Sequence, residues 1–167
     1  MIETLDLDLK NKVAIVAGGG SAGEGIGNGR AASILLAEAG AKVLVVDKDK
    51  ELADYTVQMI EKRGGESLSI SADLTKPNQC KKVVDFAVNS WGRLDILDNN
   101  IGIDSKLSVV DETEEHWDRV MDVNLKPMFL MSKYAIPAMV SSGGGGSIVN
   151  ISSISATRPK GFTVYSA

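Results

Sequence analysis

The segment VAGGGSAGEGIGNGRAAS, Val16 to Ser33, has the composition of a binding loop. Seven glycines fall within its first fourteen residues before the chain turns alanine-rich. Glycine loses more conformational freedom on folding than any other residue, so such a cluster is either a loose linker or a place where something approaches the backbone closely. A glycine-rich turn running into a helix presents free main-chain N–H groups and the positive end of the helix dipole, which suits a phosphate. No lysine followed by Ser or Thr comes after the glycines, so this is not a Walker loop, and the spacing is not a strict G-x-G-x-x-G. A turn with no ligand needs two or three glycines rather than seven. The second chemically suggestive group is Asp47, which closes the apolar run AKVLVVD 18 residues after Gly29.

The elements around these groups follow from hydrophobic pattern. Short apolar runs at residues 12–17, 41–47, 66–73, 94–100 and 146–152 read as strands. Helix-length stretches separate them, at 29–40, 50–65, 76–92 and 111–140, the last broken or bent near Lys126 and Pro127. Nearly continuous apolar strands joined by helical crossovers predict a parallel sheet covered on both faces. Right-handed crossovers make it a doubly wound α/β sheet of order 3-2-1-4-5, within one domain over residues 1–167.

Ligands of such sheets bind beyond the carboxyl ends of the strands, at the topological switch point. The switch lies between the first and fourth strands, and the glycine cluster follows the first directly. Strand and helix press in on both sides of it, which disfavours a linker. Asp47, at the end of the second strand, can accept hydrogen bonds from both hydroxyls of an adenosine ribose, and its charge repels a 2′-phosphate. The expectation is therefore NAD, with NADP disfavoured, although Lys48 follows directly.

With these residues in place the chain resembles the short-chain dehydrogenase/reductase family over nearly its whole length. Members open with T-G-x-x-x-G-x-G after the first strand. Here the opening glycine is Gly18 and the closing triplet is Gly27, Asn28 and Gly29, with eight residues between instead of three and Ala17 in the threonine place. Asp73, followed by Leu74 in ADLT, matches the acidic residue near the adenine. DNNIG matches N-N-A-G, with Ile101 in the alanine place, which implies that Asn100, Ile101 and Gly102 line the cofactor. Asn124, in MDVNL, matches the asparagine that supports a proton relay.

The resemblance further implies hydride transfer between nicotinamide and a carbonyl or alcohol carbon. Tyr165 is the tyrosine that exchanges the oxygen-bound proton. Ser153 is the serine that holds that oxygen, with Ser152 as the alternative because Ser153 lies one residue closer to the tyrosine than the commonest spacing. The family's lysine, which binds the nicotinamide ribose and whose charge favours the phenolate, would lie four residues beyond Tyr165, past Ala167. On this basis the expectation is a truncated, weakly active or inactive form of an NAD(P)-dependent oxidoreductase. Its alternatives are a nonenzymatic dinucleotide-binding module and an interaction protein that uses the fifth strand or the helix MFLMSKYAIPAMV. The extra loop residues are expected to bulge outward as a flap over the adenosine side.

Composition bounds the rest. Charged residues make up 24% of the chain and apolar residues 44%, with a formal charge of −4 and no basic run, which argues against nucleic acid as a partner. MIETLDLDLK is acidic and carries no signal-peptide pattern, and no apolar stretch approaches the ~20 residues of a membrane span. A single cysteine, Cys80, fits a reducing, cytoplasmic setting and reads as packing. His116, the one histidine, reads as a solvated helix position, and no Cys/His cluster has metal-ligand spacing. An unpaired fifth strand makes a homo-oligomer the expected assembly. The expected substrate is a small carbonyl or alcohol compound.

Overall fold

The computed structural model describes residues 8–21, 25–159, 161 and 163–167. Among them the five apolar runs form β1 (Val13–Ala17), β2 (Lys42–Asp47), β3 (Ser67–Ser71), β4 (Ile96–Asn99) and β5 (Ser147–Asn150). All neighbouring pairs are parallel, and the order is β3-β2-β1-β4-β5, as the crossover argument requires. The crossovers are α1 (Asn28–Glu38), α2 (Lys50–Glu61), α3 (Pro77–Trp91), and the pair α4 (Glu114–Asn124) and α5 (Lys126–Ser141). After β5 come a 3-10 turn at Ile154–Ala156 and the short α6 (Thr163–Ser166).

Every residue of β1 is buried, because the central strand is covered on both faces, and this is why VAIVA has no polar alternate positions. The period of two divides its side chains between two cores. Ala14 and Val16 pack with Val43 and Val45 of β2 under Ile34 of α1 and Ala53 and Ile60 of α2. Val13 and Ile15 pack with Leu44, Val46 and Leu97 under Val83 and Val84 of α3 and Leu130 and Met131 of α5. Cys80 belongs to this second core. It donates to the Leu74 carbonyl at 3.1 Å, and burial pushes its thiol up to about 11, so it is packing as expected.

Helix ends follow local chemistry with small departures from the sequence pattern. α1 begins at Asn28, one residue before Gly29. α3 has Pro77 in its first turn, where a missing N–H costs nothing, and stops at Gly92, whose φ of 78° is left-handed. The expected break between α4 and α5 falls at Leu125, and Pro127 sits in the first turn of α5.

Strand register decides what the sheet presents. Ile70, Val46, Ala17, Asn99 and Asn150 lie level across the five strands. Asp47, which ends β2, and Gly18, Asn100 and Ile151, which follow their strands, therefore all lie along the same edge of the sheet, although they are far apart in the chain.

Two carboxylates beside β1 respond to pH in opposite ways. Asp95, just before β4, accepts from the Val13 N–H at 2.9 Å and from Nε and Nη2 of Arg93 at 2.8 and 2.6 Å. Burial opposes its ionisation, but Arg93 and the Val13 N–H outweigh burial and hold the carboxyl below the ordinary carboxylate value. Asp98, opposite Val16 in the sheet, is buried. Its Oδ2 accepts from Asn100 Nδ2 at 3.1 Å, while Oδ1 has no hydrogen-bond partner among the described residues. Burial pushes this carboxyl above its ordinary value, and the Asn100 amide offsets that only in part.

A lowered folded pKa stabilises above the unfolded value and loses that contribution as pH falls. A raised one stabilises below the unfolded value and loses it as pH rises. Asp95→Asn should thus cost about 1.5–3 kcal/mol near neutral pH, with the deficit shrinking on acidification through the carboxylate range. Asp98→Asn should be more stable than the parent near neutral pH, with the gain vanishing in acid. Urea unfolding of both variants across this pH range measures the two slopes, and slopes of the same sign would contradict the assignment.

Candidate functional site

The strand-edge loops and the start of α1 enclose a groove of about 910 Å³. Gly18, Gly27, Asn28, Gly29, Asp47, Asp73, Leu74, Asn100, Ile101 and Gly102, all singled out by the sequence, line it together. The glycine turn is built by close approach. Gly18 has φ of 86°, and a Cβ on it would lie 2.8 Å from the Asn100 carbonyl oxygen. A Cβ on Gly29 would lie 2.1 Å from the Gly18 carbonyl oxygen. The Gly18 and Gly19 N–H groups both donate to Val46 O, at 2.8 and 3.0 Å, which ties the turn to β2.

Helix α1 starts from Gly27 with no side-chain cap and no acidic residue in its first turn. Its first N–H groups have no intrahelical partner, and the positive end of the helix dipole stands beside the groove. Such a terminus is complementary to an anion, and the glycines leave the backbone bare at that place.

Acidic side chains line the groove wall beside β2 and β3. Asp47 is half-buried; its Oδ2 accepts from Gly20 N at 3.0 Å and its Oδ1 from Asp49 N at 3.1 Å. Asp73 Oδ1 accepts from the hydroxyl and the N–H of Thr75, at 2.7 and 3.1 Å. The Thr75 hydroxyl bond is the main reason its carboxyl stays below the ordinary value, against a smaller opposing effect of burial. Leu74 lines the groove but is only 4% exposed and belongs to the core.

The sequence-selected catalytic residues meet in a second cavity of about 440 Å³, lined by Asn124, Ser152, Ser153 and Tyr165. Asn28, Asn100, Ile101 and Gly102 line both cavities, so the two adjoin at the α1 N-terminus and the loop after β4. Asn124 is the last residue of α4. Its Oδ1 accepts from Ile103 N at 2.8 Å and its Nδ2 donates to Ile103 O at 2.9 Å. With both ends of the amide engaged, its side chain braces the loop after β4. Ser153 caps the 3-10 turn, accepting from Ser155 N at 3.2 Å, and is half-buried, whereas Ser152 is exposed. Tyr165 lies on α6, half-buried beside the buried Val164.

Several participants carry no motif. Arg30, in the first turn of α1, is 0% exposed and donates to Thr56 Oγ1 at 3.0 Å and to the carbonyls of Gly20 and Gly25. Ser21 Oγ accepts from Gly27 N at 3.1 Å, which closes the neck of the expanded loop. The sequence holds a signal for Arg30: it falls on the same helix face as the buried Ile34 and Ala37. Ser21 and Thr56 have none. Of the expected outward flap, residues 22–24 lie outside the described residues. The described flanks lie outside the sheet, and no helix continues from Gly20, since α1 begins at Asn28. His116 departs from expectation. It is half-buried, with Nδ1 2.5 Å from Oε1 of Glu112, which lies four residues earlier, ahead of α4, with its carboxylate buried.

The described residues hold no cluster of His, Cys, Asp and Glu suited to a metal ion, and no helix long and apolar enough to cross a membrane. The short chain dehydrogenase family profile matches residues 12–167. A cyclohexanol dehydrogenase from Acinetobacter sp. (strain SE19) is 39% identical over 145 residues, which cover 86% of this chain and 55% of that protein. A short-chain dehydrogenase/reductase crystal structure from Burkholderia xenovorans superposes with a TM-score of 0.91 at 39% identity, over 95% of this chain and 61% of that one. A 7α-hydroxysteroid dehydrogenase, solved with NADH and 7-oxo glycochenodeoxycholic acid, superposes with a TM-score of 0.86 at 31% identity, over 99% of this chain and 63% of that one. The chain thus spans about half the length of the curated relatives it matches.

The glycine contacts make a steric prediction. Gly29→Ala forces a methyl against the Gly18 carbonyl and should cost about 1–3 kcal/mol. Gly25→Ala, at a glycine with nothing within 4 Å of an added Cβ, should be nearly silent. Thermal unfolding of the two variants measures the contrast.

Proposed function

Because the chain belongs to the short-chain dehydrogenase/reductase family, we propose that residues 1–167 form one dinucleotide-binding unit of an NAD-dependent oxidoreductase acting on a small carbonyl or alcohol compound. The observation that carries the proposal is the uncapped N-terminus of α1, opening on the groove over bare glycine backbone. The cofactor's pyrophosphate fits that terminus by charge and by available space. Gly18, Gly27, Asn28 and Gly29 would hold it, Asp47 the adenosine ribose, and Asp73 with Leu74 the region of the adenine. Asn100, Ile101 and Gly102 would line the nicotinamide half, since they lead into the second cavity.

The preference for NAD over NADP rests on Asp47, a carboxylate that accepts ribose hydroxyls and repels a 2′-phosphate. Bound NAD supplies a hydride acceptor, and its reduced form a hydride donor. The residues of this chain handle the proton and the oxygen. The Tyr165 phenol exchanges a proton with the substrate oxygen, and the Ser153 hydroxyl donates a hydrogen bond to the same oxygen. Ser153 is favoured over Ser152 because it is the more enclosed of the two. Asn124 supports this corner through Ile103. Cyclohexanol and a 7α-hydroxysteroid, named in two relatives, support an alcohol or carbonyl substrate. The exposed Phe129, Ile136 and Val140 of α5, with Leu125 just before it, support a homo-oligomer.

NADH fluorescence titration should show saturable binding. Asp47→Ala should weaken it on the order of tenfold or more, the loss expected for hydrogen bonds to a charged group. Tyr165→Phe should leave NADH affinity unchanged while abolishing the weak turnover expected of the parent on an alcohol and carbonyl panel. Loss of NADH binding in Tyr165→Phe would contradict the division between the two cavities.

A further inference from the structure

The expanded glycine loop does more than bare its backbone to the groove. Its Gly20 N–H donates to Asp47 Oδ2 at 3.0 Å across a separation of 27 residues, while Asp49 N, next to Asp47 in the chain, donates to Oδ1. The loop therefore supplies the one remote constraint described on this carboxylate. Gly20 is in turn gripped from behind. Arg30 donates to the Gly20 carbonyl, to the Gly25 carbonyl and to Thr56 Oγ1, and Thr56 Oγ1 contacts the neighbouring Gly19 carbonyl at 2.9 Å. The Tyr55 ring covers the guanidinium at 5.0 Å. The fit is tight, since a Cβ on Gly20 would lie 2.6 Å from Asp47 Oδ2 and 2.9 Å from Leu52 Cβ.

We propose that Arg30 is a positioning residue for cofactor selectivity: through Gly20 it locks the Asp47 carboxylate in the orientation that admits NAD and excludes NADP. The proposal rests on the reading of Asp47 given above. An ionised carboxylate has about four acceptor sites, so two main-chain donors fix its plane and leave capacity for ribose hydroxyls. Released from Gly20, the carboxylate keeps only its local bond to Asp49 and can rotate away. The exposed Lys48, which also lines the groove, then becomes the dominant charge for a 2′-phosphate. A planar fork that reaches Gly20, Gly25 and Thr56 at once is specific to arginine, and lysine cannot reproduce it.

The test compares NADH with NADPH by fluorescence titration of the full chain and its variants Arg30→Met, Arg30→Lys, Gly20→Ala and Asp47→Ala. Thermal unfolding is run in parallel. The parent should favour NADH by about tenfold or more, and Asp47→Ala should abolish the preference. Arg30→Met and Arg30→Lys should reduce it to within about threefold of unity, with NADPH affinity held or improved. Gly20→Ala keeps Arg30 but crowds Asp47, and it should shift the ratio the same way, which carries the test if the Arg30 variants do not fold. Equal weakening of both cofactors with an unchanged ratio, in a series where Asp47→Ala does abolish the preference, would overturn the role of Arg30 alone. A parent that binds both cofactors alike, or neither, would overturn the reading of Asp47 and this inference with it.

Discussion

Three chain segments meet with no side chain between them: the turn after β1, the start of α1 and the loop after β4. An added Cβ at Gly29 would stand 2.1 Å from the Gly18 carbonyl oxygen, and one at Gly18 would stand 2.8 Å from the Asn100 carbonyl oxygen. Much of the site depends on this contact. It sets where α1 begins and keeps its first N–H groups beside the groove rather than under a cap. It also brings the loop after β4 next to that helix terminus. A parallel sheet without it would still bury its two cores, but its switch point would be filled by side chains.

The sheet supports this meeting point through register. Because Ala17, Asn99 and Asn150 lie level, the turn after β1 and the segments after β4 and β5 emerge side by side. Asn99 Nδ2 donates to Asn150 Oδ1 at 2.8 Å, which joins the last level of the two strands that lead into the second cavity. Asn124 then fixes the loop after β4 from the helical side. Asp95 does similar work at the opposite end of the sheet, where Arg93 and the Val13 N–H compensate its burial. Among the described residues Asp98 is compensated only by Asn100, so the strand carrying the site's central loop also carries a carboxyl whose ionisation opposes folding.

Local patterns carried much of this. Five apolar runs with helical spacers specified the strand order, because right-handed crossovers leave few arrangements. The glycines and Asp47 stood out because each lies at a fixed distance from a strand end, and Asp73 and N-N-I-G stood out through the family resemblance; the groove brings them together. Arg30 was half legible. Its position on the buried face of α1 was readable from periodicity, but its partners are carbonyls, which every residue has and no sequence advertises. Thr56 and Ser21 were not legible, since nothing in a lone hydroxyl says which distant main-chain atom it will meet. His116 beside an acidic turn read as solvated because nothing local announces that the Glu112 carboxylate is buried there, where the distant Ser105 hydroxyl also donates to it.

The amino-acid sequence by itself determined the elements, their parallel order and the presence of a phosphate-suited turn, all of which follow from periodicity, chirality and glycine's missing side chain. Only the tertiary structure decided how Asp47 is held, through Gly20, Arg30 and Thr56, and that Asn124 spends both ends of its amide on Ile103. These are contacts between main-chain and side-chain atoms from different elements. Their geometry exists only once the sheet register and the helix positions have brought those atoms within hydrogen-bonding distance.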